Sequence, residues 1–281
     1  MKHNYFFFIG LSFFSSITFA AGNPWLISPG TKSIQLSYVS QSADELYEGE
    51  TKNPLPDDLS QKTIWVDFAY GLADNMAIDA RLGYSNFEFS PRGEDESGTT
   101  DASLGLTWRL RDEFIYDTGP SVALRVGVTL AGNYTTEEIN SIGDGASGAE
   151  ISLLVGKIIA PKLSIAADAG YRYRDSGVDD ELFASVRGFY SLTNQLHASV
   201  GYSVVRADGD LDLGEPEFEG SGPPEFRGRY TQVAEDADII ELGIAYQFAR
   251  RYQVGFGYGQ IVDGRNTGIN DIASISLGMT F

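Results

Sequence analysis

The sequence predicts an all-β protein, specifically a transmembrane antiparallel up-and-down β-barrel of about twelve strands with short turns at one end and long loops at the other. Three observations predict it. Apolar residues recur at every second position through most of the chain, the connections between those runs alternate in length, and charged residues stand mid-strand on the face opposite the apolar one.

The N-terminus comes first. Lys2 opens a short basic region, Phe6 to Phe14 is an apolar run too short to span a bilayer, and Thr18-Phe19-Ala20 places small residues ahead of a cleavage point. Residues 1–20 therefore read as a cleaved signal peptide, 21–30 as a short N-terminal periplasmic segment and 31–281 as the barrel. An N-terminal anchor helix is the alternative, but it needs about 20 apolar residues, and Ser12, Ser15, Ser16 and Gly22 interrupt this run. The whole chain holds 20 basic and 39 acidic residues; loss of Lys2 with the signal leaves 19 against 39, a net charge of −20. That balance excludes nucleic acid as a partner. No cysteine is present, so neither a disulfide framework nor a lipidated cysteine contributes.

The strands follow in order. After a weaker run at Ile34, Leu36 and Tyr38, apolar residues alternate at Ile64/Val66/Phe68/Tyr70, Met76 to Tyr84, Ala102 to Trp108, Val122 to Leu130 and Ile151 to Val155. Leu163 to Tyr173, Leu182 to Val186 with Tyr190, Leu196 to Tyr202, Ile240 to Phe248, Tyr252 to Tyr258 and Ala273 to Phe281 continue the pattern. Short turns are expected at 72–75, 160–162, 193–195 and 249–251, and long polar loops near 42–61, 87–98, 134–148 and 206–236; the connection at 111–118 is long for a short-turn end. A sandwich in water also alternates, so the solvent is decided by the other face. Aromatic rings gather near strand ends on the apolar face, as Tyr70, Tyr84, Trp108, Tyr171, Tyr173 and Tyr246 do, which suits the two water–lipid boundaries.

The polar face carries the candidate pore-lining residues Asp67, Asp79, Arg81, Arg109, Arg125, Asp168, Arg172, Arg174, Arg187 and Glu241, with Asp101 and Glu150 completing a set of both signs. A dry core cannot hold that many ions cheaply, whereas a wet lumen can. Two readings stay open: an electrostatic path for a small solute, or an ion-pair network that fills the interior. Glycines on the same face, among them Gly83, Gly105, Gly127, Gly156 and Gly170, either leave room or ease strand curvature.

Other signals point to bland roles. Asp208, Asp210, Asp212 and Glu219 approach a calcium-loop spacing, but Leu213 stands where the sharp turn needs glycine, so an acidic external loop stiffened by Pro216, Pro223 and Pro224 is expected, with no metal site. Gly143 to Gly148 lacks the following Lys-Ser/Thr of a phosphate cradle and reads as a turn. His197, beside a short turn on the polar face, reads as an interior imidazole; neither a catalytic residue nor a cofactor is expected. Ile275, Leu277, Met279 and Phe281 face outward on the last strand, the expected insertion signal.

Ala21-Gly22-Asn23-Pro24-Trp25, Gln41 to Glu45, Tyr70-Gly71-Leu72-Ala73-Asp74-Asn75, Ile142 to Gly148 and Val262 to Asn266 look like an uncharacterised family of Gram-negative outer-membrane barrels. More loosely, the chain resembles the transporter-like barrels associated with meta-pathway phenol degradation. The resemblance implies a bacterial outer-membrane location, contacts with outer-membrane lipids and lipopolysaccharide, and recognition of the C-terminal strand by the barrel-assembly machinery. It also implies a pore or transporter for small solutes, hydrophobic or aromatic ones among them. A structural or surface-interaction barrel with acidic loops is the alternative reading, and a barrel hydrolase a third.

Overall fold

The computed structural model describes residues 23–89, 95–116, 119–136, 141–214 and 230–281. The signal peptide, Pro216, Glu219, Pro223 and Pro224 lie outside the described residues. The strands are β1 (Lys32–Glu48), β2 (Thr51–Ala73), β3 (Met76–Glu88), β4 (Glu96–Thr99), β5 (Ala102–Arg111), β6 (Ser121–Leu130) and β7 (Gly148–Ala160). They continue as β8 (Leu163–Arg174), β9 (Glu181–Ser191), β10 (Leu196–Ala207), β11 (Asp236–Phe248), β12 (Tyr252–Arg265) and β13 (Asp271–Thr280).

Every neighbouring pair is antiparallel, and β1 pairs with β13 on one side and β2 on the other, so the sheet closes on itself. β4 and β5 both pair with β3, one above the other, so the thirteen segments make twelve staves. Closure leaves no edge strand, so the backbone groups along the ladders pair within the wall, which is what a chain needs when its outer surface touches hydrocarbon. Phe281 and Lys32 complete the seam by exchanging backbone hydrogen bonds of 2.8 and 2.9 Å.

The burial pattern is inverted relative to a water-soluble protein. Along β1 the outward Ile34, Leu36 and Tyr38 are exposed while the alternating Ser33, Gln35 and Ser37 are buried; Leu36 is 50% exposed and Ser37 1%. The same inversion runs through Ile64 and Val66, Leu104, Val126 and Val128, Leu242 and Ile244, and Ile275 and Leu277. Serine inside and leucine outside is a stable arrangement only where the outer medium is apolar.

One stretch expected to be a loop is instead a tall hairpin. Residues 42–61 continue β1 and β2 through a turn at Gly49, whose φ of 55° suits a residue without a side chain. Pro54 and Pro56 lie within it, and the ladder accommodates them: the register shifts between Ala43 and Glu45, leaving residues 55–58 as an extra bulge on β2.

Candidate functional site: the lumen wall and its two mouths

The alternation of the sequence puts ionic side chains on the inner wall, and the register decides which of them meet. Asp67 on β2 binds Arg81 on β3 at 2.5 Å. From Asp79 on β3 a continuous chain then climbs the wall. Arg125 on β6 takes Asp79 at 2.7 Å and also Glu150 on β7; Glu150 takes Arg172 on β8 at 3.1 Å; Arg172 takes Glu181 on β9 at 2.5 Å. Glu181 holds Arg174 at 3.1 Å, and Arg174 reaches Asp144 in the long connection before β7 at 2.8 Å. Within this chain Arg125, Glu150, Arg172, Glu181 and Arg174 each have two counter-ions and Asp79 takes Arg125 through both oxygens, which offsets the cost of removing them from bulk water.

The remaining expected lining residues fall outside that chain. Arg187 on β9 pairs with Glu241 on β11 at 2.5 Å, two strands away across Gly201. Asp168 accepts from the Ser185 hydroxyl. Arg109 lies at the short-turn end, paired with Asp112 at 2.9 Å and donating to the Asp74 carbonyl at 2.6 Å. Of the expected insertion-signal residues, Ile275, Leu277 and Phe281 are exposed and Met279 is half-buried, all on the outer side of the seam. His197 Nδ1 lies 3.1 Å from Ser191 Oγ.

The inward glycines make space that other side chains occupy. A Cβ at Gly105 would collide with the Arg125 guanidinium, and one at Gly127 would come within 2.9 Å of Arg125 Nη1 and 3.0 Å of Glu150 Cγ. Gly83 makes way for Trp65, whose ring stacks under Arg81 at 5.1 Å, and Gly170 for Phe183, which does the same for Arg172 at 5.2 Å. The room left by the missing side chains lets long cations lie flat along the wall.

At the short-turn end the N-terminal segment enters the barrel. Residues 27–30 run against Gly71 of β2, where a Cβ would strike the Ser28 carbonyl, and Gly30 donates to the Gly71 carbonyl at 2.9 Å. The chain then crosses to β7. Pro24 is fully buried, and Pro24 Cγ and Trp25 Cζ2 stand 2.7 and 2.8 Å from where a Cβ of Gly156 would be. The Trp25 indole N–H donates to Glu113 Oε1 at 2.9 Å. Glu113, in the connection between β5 and β6, also accepts from the Ile158 N–H at 3.0 Å and pairs with Lys157 at 3.4 Å. One carboxylate therefore ties the plug, a turn and the wall together.

At the other end the long connections fold over one another. Asn266, itself at φ 54°, accepts from the N–H groups of Gly49 and Leu213 at 2.8 and 2.9 Å and donates to Asp212 and to the Ala234 carbonyl, each at 2.7 Å. Arg265 binds Asp212 at 2.5 Å and donates to the carbonyls of Gly209 and Asp210 at 3.0 and 3.1 Å. Oxygens that a calcium loop would turn toward a metal are thus turned toward a guanidinium, which holds the Asp212 carboxyl below its ordinary range.

Deeper in this mouth the carboxylates crowd. Asp144 is 41% exposed, yet the surrounding protein and the charges of Glu181 and Asp101 hold its pKa above the usual value against the pull of Arg174. Glu235 is open to solvent but ringed by protein, and that desolvation together with Asp144 pushes it up to about 7. Tyr134 donates to Asp101 and accepts from Gly145 N–H at 2.9 Å, and enclosure raises its phenol.

Trp25, Trp65, Glu113, Asp144, Phe183, Glu181 and Glu235 all belong to this lumen, and none stood among the expected lining residues. Trp65 and Phe183 were findable, being on the polar face of alternating runs. The others lie in connections or at strand ends, where period-2 patterning has no purchase.

A closed barrel with an apolar exterior, a polar ionic interior, short turns at one end and long connections at the other is a bacterial outer-membrane β-barrel. The COG4313 outer membrane channel from Pseudomonas putida F1 superposes with a TM-score of 0.74, over 93% of this chain and 99% of that one, at 13% identity. The translocator domain of the autotransporter NalP from Neisseria meningitidis matches at 0.52, over 91% and 90%, at 15% identity. A TodX monoaromatic hydrocarbon channel mutant matches at 0.50, over 91% of each chain, at 13% identity. No protein-family model and no curated protein sequence matches the chain. Likeness at these identities is likeness of fold.

Proposed function

We propose that the protein is a narrow outer-membrane channel for small solutes that prefers cations and neutral molecules, aromatic ones included, over anions. One observation supports this most directly. The ladder from Asp79 to Asp144 holds four carboxylates and three guanidiniums, and Asp101 and Asp168 are bound to hydroxyls instead of cations, so the wall keeps a negative surplus. Trp65 and Phe183 add flat faces beside it. The Pro24–Trp25 crossing constricts the periplasmic mouth. The similar COG4313 and TodX proteins are an outer membrane channel and a monoaromatic hydrocarbon channel.

In this reading the C-terminal residues Ile275, Leu277, Met279 and Phe281 serve the assembly machinery, and the acidic loops face the lipopolysaccharide leaflet. The test is a reversal potential across planar bilayers under a salt gradient. Discrete steps with cation preference are expected, and Trp25→Ala enlarges them. Anion preference refutes the selectivity, and silence from both wild type and Trp25→Ala favours a structural barrel.

A further inference from the structure

The connection between β5 and β6 is unlike the other turns at its end of the barrel. Those at 74–75, 161–162 and 249–251 are short and polar, whereas this one presents Phe114, Ile115 and Tyr116 in succession, 61%, 71% and 56% exposed. Three consecutive large apolar side chains in water are costly, and such patches mark contacts. They are held in place locally. Phe114 N–H donates to Asp112 Oδ1 at 2.9 Å, and the N–H groups of Ile115 and Tyr116 donate to the Asp112 carbonyl at 3.2 and 3.1 Å.

The register says which side of the wall they occupy. The ladder between β5 and β6 shifts after Arg109, so that Arg111 pairs with Val122. Val122 belongs to the outward set with Leu124, Val126 and Val128, and Arg111 therefore leaves the lumen for the outer rim. Its guanidinium sits over the Tyr116 ring at 5.7 Å. The patch is continuous with the lipid-facing belt through Trp108 and Leu110, both exposed on the same stave. Cations stand beside it: Arg111, and the exposed Lys162 of the neighbouring β7–β8 turn.

We propose that the β5–β6 turn is a membrane anchor whose Phe114, Ile115 and Tyr116 insert into the periplasmic phospholipid leaflet, with Arg111 at the level of the phosphates. Aromatic and aliphatic side chains beside a cation are the composition that partitions to that boundary. Because Glu113 precedes the anchor and holds Trp25, the leaflet also fixes the carboxylate on which the periplasmic plug hangs. The inference rests on the barrel's membrane setting and not on conduction.

The chain has no cysteine, so single-cysteine labelling tests it directly. Ile115→Cys and, as reference, Asn194→Cys in the polar β9–β10 turn are labelled with a nitroxide and reconstituted in phosphatidylethanolamine/phosphatidylglycerol vesicles. Power saturation then compares collision with oxygen and with a water-soluble nickel chelate. The expected result is an oxygen-accessible, nickel-protected label at 115 and the reverse at 194. Equal nickel accessibility at both sites overturns the proposal, as does protection at 115 that disappears on dilution with lipid, which would mean a second copy. Tyr116→Cys repeats the measurement should the first variant fail to assemble.

Discussion

The two halves of the barrel wall solve the same problem differently. From β2 to β9 the lumen side is ionic, with Arg81, Arg125, Arg172, Arg174 and Arg187 lying against carboxylates of neighbouring strands. From β10 through β13 to β1 it is built of Ser203, Gly255, Ser276, Ser33, Gln35 and Ser37, with Glu241 reaching back to the charged half. The long ions lie in beds left by glycines of their own half, Gly105 and Gly127 beneath Arg125, whereas Gly255 in the uncharged half makes room only for the Ser276 hydroxyl.

The sharpest way to break this division is Glu150→Ala. Glu150 is 10% exposed and shared by Arg125 and Arg172, so its loss breaks the chain in the middle and leaves each of these two enclosed guanidiniums with one counter-ion in place of two. A destabilisation of about 3–5 kcal/mol is expected, read from the urea midpoint in detergent micelles. An unchanged midpoint would mean that water already supports those cations. Gly105→Ala comes next: its Cβ displaces the Arg125 guanidinium from its bed, at roughly 1–3 kcal/mol and with altered conductance.

Acidity probes the mouth where the charged half ends. Glu235 protonates as pH falls through about 7. Because its pKa is raised in the folded state, its charge destabilises the mouth above that pH, and protonation relieves the strain while removing negative charge. Cation preference should therefore weaken on acidification through this range, and Glu235→Gln should abolish that part of the dependence. Smallest is Ser276→Ala in the uncharged half, expected below about 1 kcal/mol and without effect on selectivity. A loss as large as that of Glu150→Ala would erase the distinction between the halves.

How much of this was legible in the residues differs by element. The alternation at Leu163 to Tyr173 or Val122 to Leu130 is a direct image of the pleat, so strands, faces and the membrane setting were readable. The hairpin at 42–61 was obscured because Pro54 and Pro56 signal a break locally, while the bulge that absorbs them depends on β1. Trp25 and Glu113 carry no periodic signal, and their meeting joins residues 88 positions apart.

The sequence by itself determined that the chain is a barrel with its apolar side outward, because side-chain direction in a strand follows residue parity and nothing else. Only the tertiary structure decided which ion meets which, that glycines are beds for guanidiniums, and that the N-terminal segment crosses a mouth. Those facts depend on register between strands and on the path of connections, which are set by the closure of the whole sheet and not by any local stretch of residues.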